Sequence, residues 1–115
     1  MFDALRRVQE AKSDRIAHLR DLFHTAAPAA WSAPSTMPLR LPWLNHSQEE
    51  AVRDILRAKD VLIVHGPPGT GKTTTLVEAI CEVLRREPQV MVCAQSNTAV
   101  DWICQQLAAR GVSLL

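Results

Sequence analysis

The chain has 115 residues, enough for one domain or part of one and too few for several independent cores. Thirteen Lys and Arg stand against twelve Asp and Glu, a net charge of +1, so no global basic field marks the chain for nucleic acid, although a local groove could still be basic. Three cysteines without C-x-x-C spacing argue for free thiols rather than a metal cluster. With neither an apolar leader nor a bilayer-length apolar stretch, the expectation is a soluble, cytoplasmic protein with no membrane partner.

Phe2, Leu5, Val8, Ile16, Leu19, Leu22 and Phe23 recur at helical spacing and predict an amphipathic helix over 2–24. Asp3/Arg7 and Arg6/Glu10 are i,i+4 pairs on its polar side. Gln9 and Lys12 interrupt the stripe, which favours a single docked helix over a dimerising coiled coil. This first region covers 1–25. Residues 26–44 form a connector holding four of the seven prolines (Pro28, Pro34, Pro38, Pro42). Its terminal cluster, Leu39, Leu41, Trp43 and Leu44, is expected to pack on the third region, 45–115.

Ser47 and Glu50 stand in capping-box register, so a short helix is expected from there to about Ala58, burying Val52, Ile55 and Leu56. Asp60 then turns the chain into an apolar run over 61–65, the first expected strand. A helix over 71–86, with Leu76, Ile80, Val83 and Leu84 inward, is ended by Pro88. Residues 90–94 read as a second strand, 95–98 as a strand-to-helix corner, and the following stretch as a helix to Arg110 capped by Gly111. Residues 112–115 resemble a third strand. The predicted fold class is therefore α/β: a partial parallel sheet with right-handed crossovers, preceded by an amphipathic helix and a Pro-rich connector. Ligand sites in such a sheet lie at the carboxyl ends of the strands.

The most informative stretch is 65–74, which matches the phosphate-binding pattern G-x-x-x-x-G-K-[ST]. The loop of Gly66, Pro67, Pro68, Gly69, Thr70, Gly71, Lys72, Thr73 and Thr74 would wrap its backbone N–H groups, which the two prolines lack, around a triphosphate, with the following helix offering its unsatisfied first-turn donors. Lys72 would reach the β- and γ-phosphates as a point charge, and the Thr73 hydroxyl would hold Mg²⁺. The competing reading is a Gly/Pro-rich turn that matches by chance; the expected strand before it and helix after it argue against that.

Three ordered segments resemble the superfamily 1 helicases, in the branch of the up-frameshift and immunoglobulin-mu-binding helicases. They are Leu44-Asn45-His46-Ser47-Gln48, GPPGTGKTTTLVEAI, and VCAQSNTAVDWICQQL, spanning about residues 41–110. The resemblance implies a RecA-like P-loop NTPase domain, with ATP and Mg²⁺ as cofactors and single-stranded DNA or RNA as partner. It implies that Gln48 reads the adenine edge, a task for which a side-chain amide has both a donor and an acceptor; the alternative is a solvent-facing glutamine at a helix start. It implies that Ser96, Asn97 and Thr98 contact the strand backbone, where the alternative is simple capping of the helix. Gln95 stands where the family commonly has proline. Trp43 could stack on the nucleotide but is expected in the core, and Trp102 is expected in core or interface. Asp101 sits inside a helix and is no metal carboxylate; His65 is expected to pack beneath the loop, while His18, His24 and His46 show no ligand spacing.

Hydrolysis by such a motor needs a carboxylate pair and an arginine finger, which the resemblance places in downstream motifs and a second RecA-like domain. No Asp-Glu pair follows an apolar run here. The sequence therefore reads as the N-terminal part of an ATP-dependent helicase of 5′→3′ polarity, Lys72 and Thr73 being its catalytic residues and the 115 residues alone hydrolysing little. A stand-alone nucleotide-binding regulatory module without hydrolysis is the alternative, and a small kinase, lacking a visible substrate lid, a third.

Overall fold

The computed structural model describes residues 2–26, 28–33 and 39–115. They divide into two compact units, Met1–Ala33 with Ala58–Val61 and Pro34–Arg57 with Leu62–Leu115.

In the first unit, α1 (Phe2–Glu10) and α2 (Arg15–Thr25) replace the single helix expected over 2–24. The break follows the Gln9 and Lys12 interruptions. Asp14 is extended there and accepts the Ala17 N–H at 2.9 Å, capping α2. Arg20 Nη1 donates to the carbonyls of Val8, Gln9 and Ala11 at 3.0, 3.0 and 2.7 Å, groups at the end of α1 that a helix terminus leaves unsatisfied. Two caps at one joint outweigh the continuity of a helix that would have to run through Ser13 and Asp14, both weak helix-interior residues. Ala17 is buried, whereas α1 buries nothing and leaves Phe2 81% exposed, so its apolar stripe is not docked as expected.

Asp60 organises the rest of this unit. Its Oδ2 accepts the Ala30 N–H at 2.7 Å, while Oδ1 takes Arg15 Nη1 at 2.6 Å and lies 3.3 Å from His18 Nε2. Arg15 Nη2 also reaches the Lys59 carbonyl, the Lys59 N–H donates to Ala30 O, and Trp31 and Ala58 form an isolated antiparallel bridge. The Ala30 N–H foremost, then Arg15, with a lesser help from His18, hold the Asp60 carboxyl at a pKa of about 2 against the usual 3.8.

The second unit contains α3 (His46–Arg57), α4 (Lys72–Leu84) and α5 (Asn97–Ala109). Helix α4 is apolar on two sides because it packs against both neighbours. Ala79 joins Leu41, Leu44 and Val52 in one cluster, and Val77 and Ile80 join Ile103 and Leu107 in the other. Val52 and Val77 are essentially solvent-free; burying each contributes roughly 1.5–3 kcal/mol. Helix α3 starts two residues earlier than expected. Asn45 Oδ1 accepts the Gln48 N–H at 2.9 Å and Gln48 Oε1 accepts the Asn45 N–H at 3.0 Å, so the capping box is Asn45 with Gln48, not Ser47 with Glu50. Helix α5 ends as expected at Gly111 (φ +78): the Gly111 N–H donates to Ala108 O and the Val112 N–H to Leu107 O, with Val112 packed on the cluster that holds Leu107.

The expected fold class is not found. Among the described residues there are five helices and no strand or sheet, so the partial RecA-like parallel α/β sheet is overturned. The stretches 61–65, 90–94 and 112–115 carry the apolar, β-branched composition of strands, but that composition specifies an extended preference, not a partner. Val90, Val92 and Val112 are taken up singly by the α4–α5 cluster, while Met91 between them is 89% exposed and Ile63 79%. Strands covered on both faces would bury all of these.

Candidate functional site

The 65–74 segment forms a loop that ends directly in α4. Gly71 is the N-cap of that helix at φ +77, and no side chain caps it. The first-turn residues Lys72, Thr73 and Thr74 are exposed, at a helix start whose N–H groups have no partner within the helix and which is the positive end of its dipole. Behind them, Thr75 closes the turn, its N–H and hydroxyl both donating to Gly71 O at 3.0 and 2.9 Å.

The loop also bonds to itself. Thr70 Oγ1 donates to Pro67 O at 2.7 Å, and the Lys72 ammonium folds back to the Gly66 carbonyl and to Pro67 O at 3.3 Å. Pro68 and Gly69 are exposed within it. A side chain at either end would be crowded. A Cβ at Gly66 would lie 2.8 Å from Thr70 Oγ1 and 3.1 Å from Lys72 Cγ, and one at Gly71 would collide with Gln48 Nε2. A cavity of about 400 Å³ opens here, lined by the loop and by Asn45, Ser47, Gln48 and Ala51 of the α3 start. Bare amides, one ammonium and exposed hydroxyls around a concave backbone fit a polyphosphate and its Mg²⁺.

Gln48 is the residue that ties α3 to this loop. Its Nε2 lies 3.3 Å from both Thr70 O and Gly71 O and donates to them, while its Oε1 is engaged in the α3 cap. It is thus neither solvent-facing nor uncommitted: the amide braces the bend that leads into Lys72. Sequence reasoning missed Asn45, although N-x-x-Q is as legible a box as S-x-x-E.

Ser96, Asn97 and Thr98 lie apart from this cavity, at the start of α5. Ser96 caps the helix, its Oγ accepting the Ala99 N–H at 3.2 Å; Asn97 and Thr98 are exposed in the first turn. Asp101 is an exposed helical residue. His65 is exposed instead of packed beneath the loop, and Trp43 is 61% exposed and absent from the loop cavity, so both differ from expectation. Trp43 faces outward because Leu41 and Leu44 on either side fill the space against Val52 and Ala79. Among the described residues no group of three or more His, Cys, Asp or Glu could hold a metal, and no helix is long and apolar enough to cross a membrane.

The profile of a family described as the AAA domain matches residues 43–114. Among curated proteins, the chain is 44% identical over 72 residues to the DNA polymerase alpha-associated DNA helicase A of Schizosaccharomyces pombe, covering 63% of the chain and 11% of the relative. It is 52% identical over 65 residues to the DNA-binding protein SMUBP-2 of Rattus norvegicus (56% and 7%). A Regulator of nonsense transcripts 1 homolog of Arabidopsis thaliana matches at 39% over 87 residues (70% and 7%). The chain thus spans only about a tenth or less of the length of these relatives.

Proposed function

Because the chain belongs to the AAA-domain family of superfamily 1 helicases, in the up-frameshift branch, we propose that it is the ATP-binding part of a motor that couples ATP hydrolysis to 5′→3′ movement on single-stranded DNA or RNA. The observation that carries this reading is the uncapped start of α4, with Lys72, Thr73 and Thr74 exposed beside a loop closed by Thr70, Lys72 and Gln48.

In this reading the backbone N–H groups of residues 69–74 hold the phosphate oxygens, and the Lys72 ammonium exchanges its two carbonyls for the β- and γ-phosphates. The Thr73 hydroxyl holds Mg²⁺, which when bound supplies neutralising charge to those oxygens. Gln48 serves adenine through the second lone pair of Oε1 and by releasing Thr70 and Gly71, while also setting the loop's shape. Asn97 and Thr98, beside the Ser96 cap, contact the strand's phosphates. Among the described residues no carboxylate lines the loop cavity, so the chain by itself binds nucleotide and hydrolyses little. That same feature favours a second reading, a regulatory module that binds nucleotide without turnover; strand-stimulated ATP hydrolysis separates the two.

Titration of the 115-residue chain with a fluorescent ATP analogue tests the site. Lys72→Ala removes charge-assisted bonds worth roughly 1.5–3 kcal/mol, so affinity should fall roughly 10- to 150-fold with an unchanged far-ultraviolet dichroism spectrum. Undiminished binding by a folded variant would sink the assignment.

A further inference from the structure

A second concavity of the second unit lies away from the loop, along the C-terminal half of α4. It measures about 860 Å³ and shares no residue with the loop cavity. Four guanidiniums and two carboxylates line it, an excess of two positive charges in a chain whose net charge is only +1. The two carboxylates are buried and already matched: Glu78 pairs with Arg110, and Glu82 with Arg85 at 3.4 Å. Arg40 and Arg86 are exposed and have no ion-pair partner among the described residues. Trp43, unexplained by the core, is 61% exposed on the same groove.

The groove therefore carries two uncommitted guanidiniums, an exposed aromatic face and, beneath them, carboxylate oxygens. Glu78 Oε1 is enclosed and, for all its pairing with Arg110, makes no well-formed hydrogen bond. Phosphates suit the guanidiniums and a base suits the indole. The two carboxylates are held by Arg110 and Arg85, so the occupant is set by the free guanidiniums and the indole, a pairing that a base joined to phosphates fills and an acidic peptide does not. We infer that this groove binds a segment of single-stranded nucleic acid, as a strand contact separate from the start of α5. Arg40 and Arg86 take phosphates and Trp43 stacks on a base. The inference rests on the nucleic-acid reading above and adds a second place on the chain where the strand is held.

The test is fluorescence anisotropy of the full 115-residue chain with labelled oligocytidylate of about 12 nucleotides, as DNA and as RNA, between about 50 and 200 mM salt. Arg40→Ala and Arg86→Ala should each lower the salt slope by roughly 0.7, a single-strand phosphate contact, and Arg40→Lys should restore it. Trp43→Ala should weaken binding roughly fivefold or more without changing the slope. An equal effect on both oligomers assigns the groove to phosphate and base. A selective loss with RNA assigns it to the ribose hydroxyl as well, and both results support it. Wild-type binding that Ser96→Ala or Asn97→Ala weakens, but the groove variants leave unchanged, overturns the inference and spares the nucleic-acid reading. Displacement of the strand from the groove by an oligoglutamate peptide, with the same dependence on Arg40 and Arg86, also overturns it. No binding by the wild-type chain overturns both, while ATP binding remains a separate measurement.

Discussion

Gly71 offers the sharpest check on how the loop is held. At φ +77, an alanine there costs roughly 1–2 kcal/mol in backbone conformation alone. Its Cβ would also collide with Gln48 Nε2, so the glutamine amide must swing away and give up Thr70 O and Gly71 O. Those bonds are long at 3.3 Å, and losing both costs about 1 kcal/mol. Gly69 is the built-in control: its φ is +81, yet nothing lies within 4 Å of a Cβ placed there. Gly69→Ala should therefore lose only the conformational part. Urea unfolding followed by circular dichroism should show Gly71→Ala less stable than Gly69→Ala by about 1 kcal/mol. In a Gln48→Ala background that gap should close. Equal losses at both glycines, or a gap that survives removal of the glutamine, would refute the proposed brace.

Two further outcomes follow from the charged contacts. Asp60 titrates at about 2 when folded and near 3.8 when unfolded, so its contribution is complete above about 3.8 and is lost as pH falls through about 2. Protection of the Ala30 amide, followed by NMR hydrogen exchange from about pH 5 downward, should decline more steeply in the wild type than in Asp60→Asn; identical profiles would rule the contact out as a source of acid sensitivity. Burial opposes charge on Arg110, yet the Glu78 carboxylate beside it holds the guanidinium above its ordinary pKa. Arg110→Ala strands a carboxylate that is 3% exposed and should cost roughly 2 kcal/mol, below the fully buried range because Arg110 is itself partly exposed. Adding Glu78→Gln should recover part of that loss, and a double variant no more stable than the single one would contradict the pairing.

What the sequence made legible was local. The loop, the start of α4 and the end of α5 are set by glycines and by bonds within a few residues, and each stands where its pattern placed it. The sheet was misread because a β-branched run carries no information about its neighbour. Val90 and Val92 satisfy themselves on helices, and Ile63 and Met91 remain in solvent. The α3 start offered two overlapping boxes, and local chemistry alone does not rank them. In the Asn45 register, Gln48 also reaches carbonyls 22 and 23 residues away, a benefit visible only in three dimensions. Trp43 was misplaced for a related reason: its apolar size suggested the core, but Leu41 and Leu44 had already filled it.

The double engagement of Gln48 has a dynamic consequence. The oxygen of its amide caps the start of α3 and the nitrogen of the same amide steadies the bend at Thr70 and Gly71. Fraying of the first turn of α3 therefore releases the bend, and displacement of the bend loosens the turn. Two segments more than twenty residues apart should share one opening equilibrium, so the amides on both sides of Gln48 and those entering α4 would exchange with solvent as a single cooperative unit.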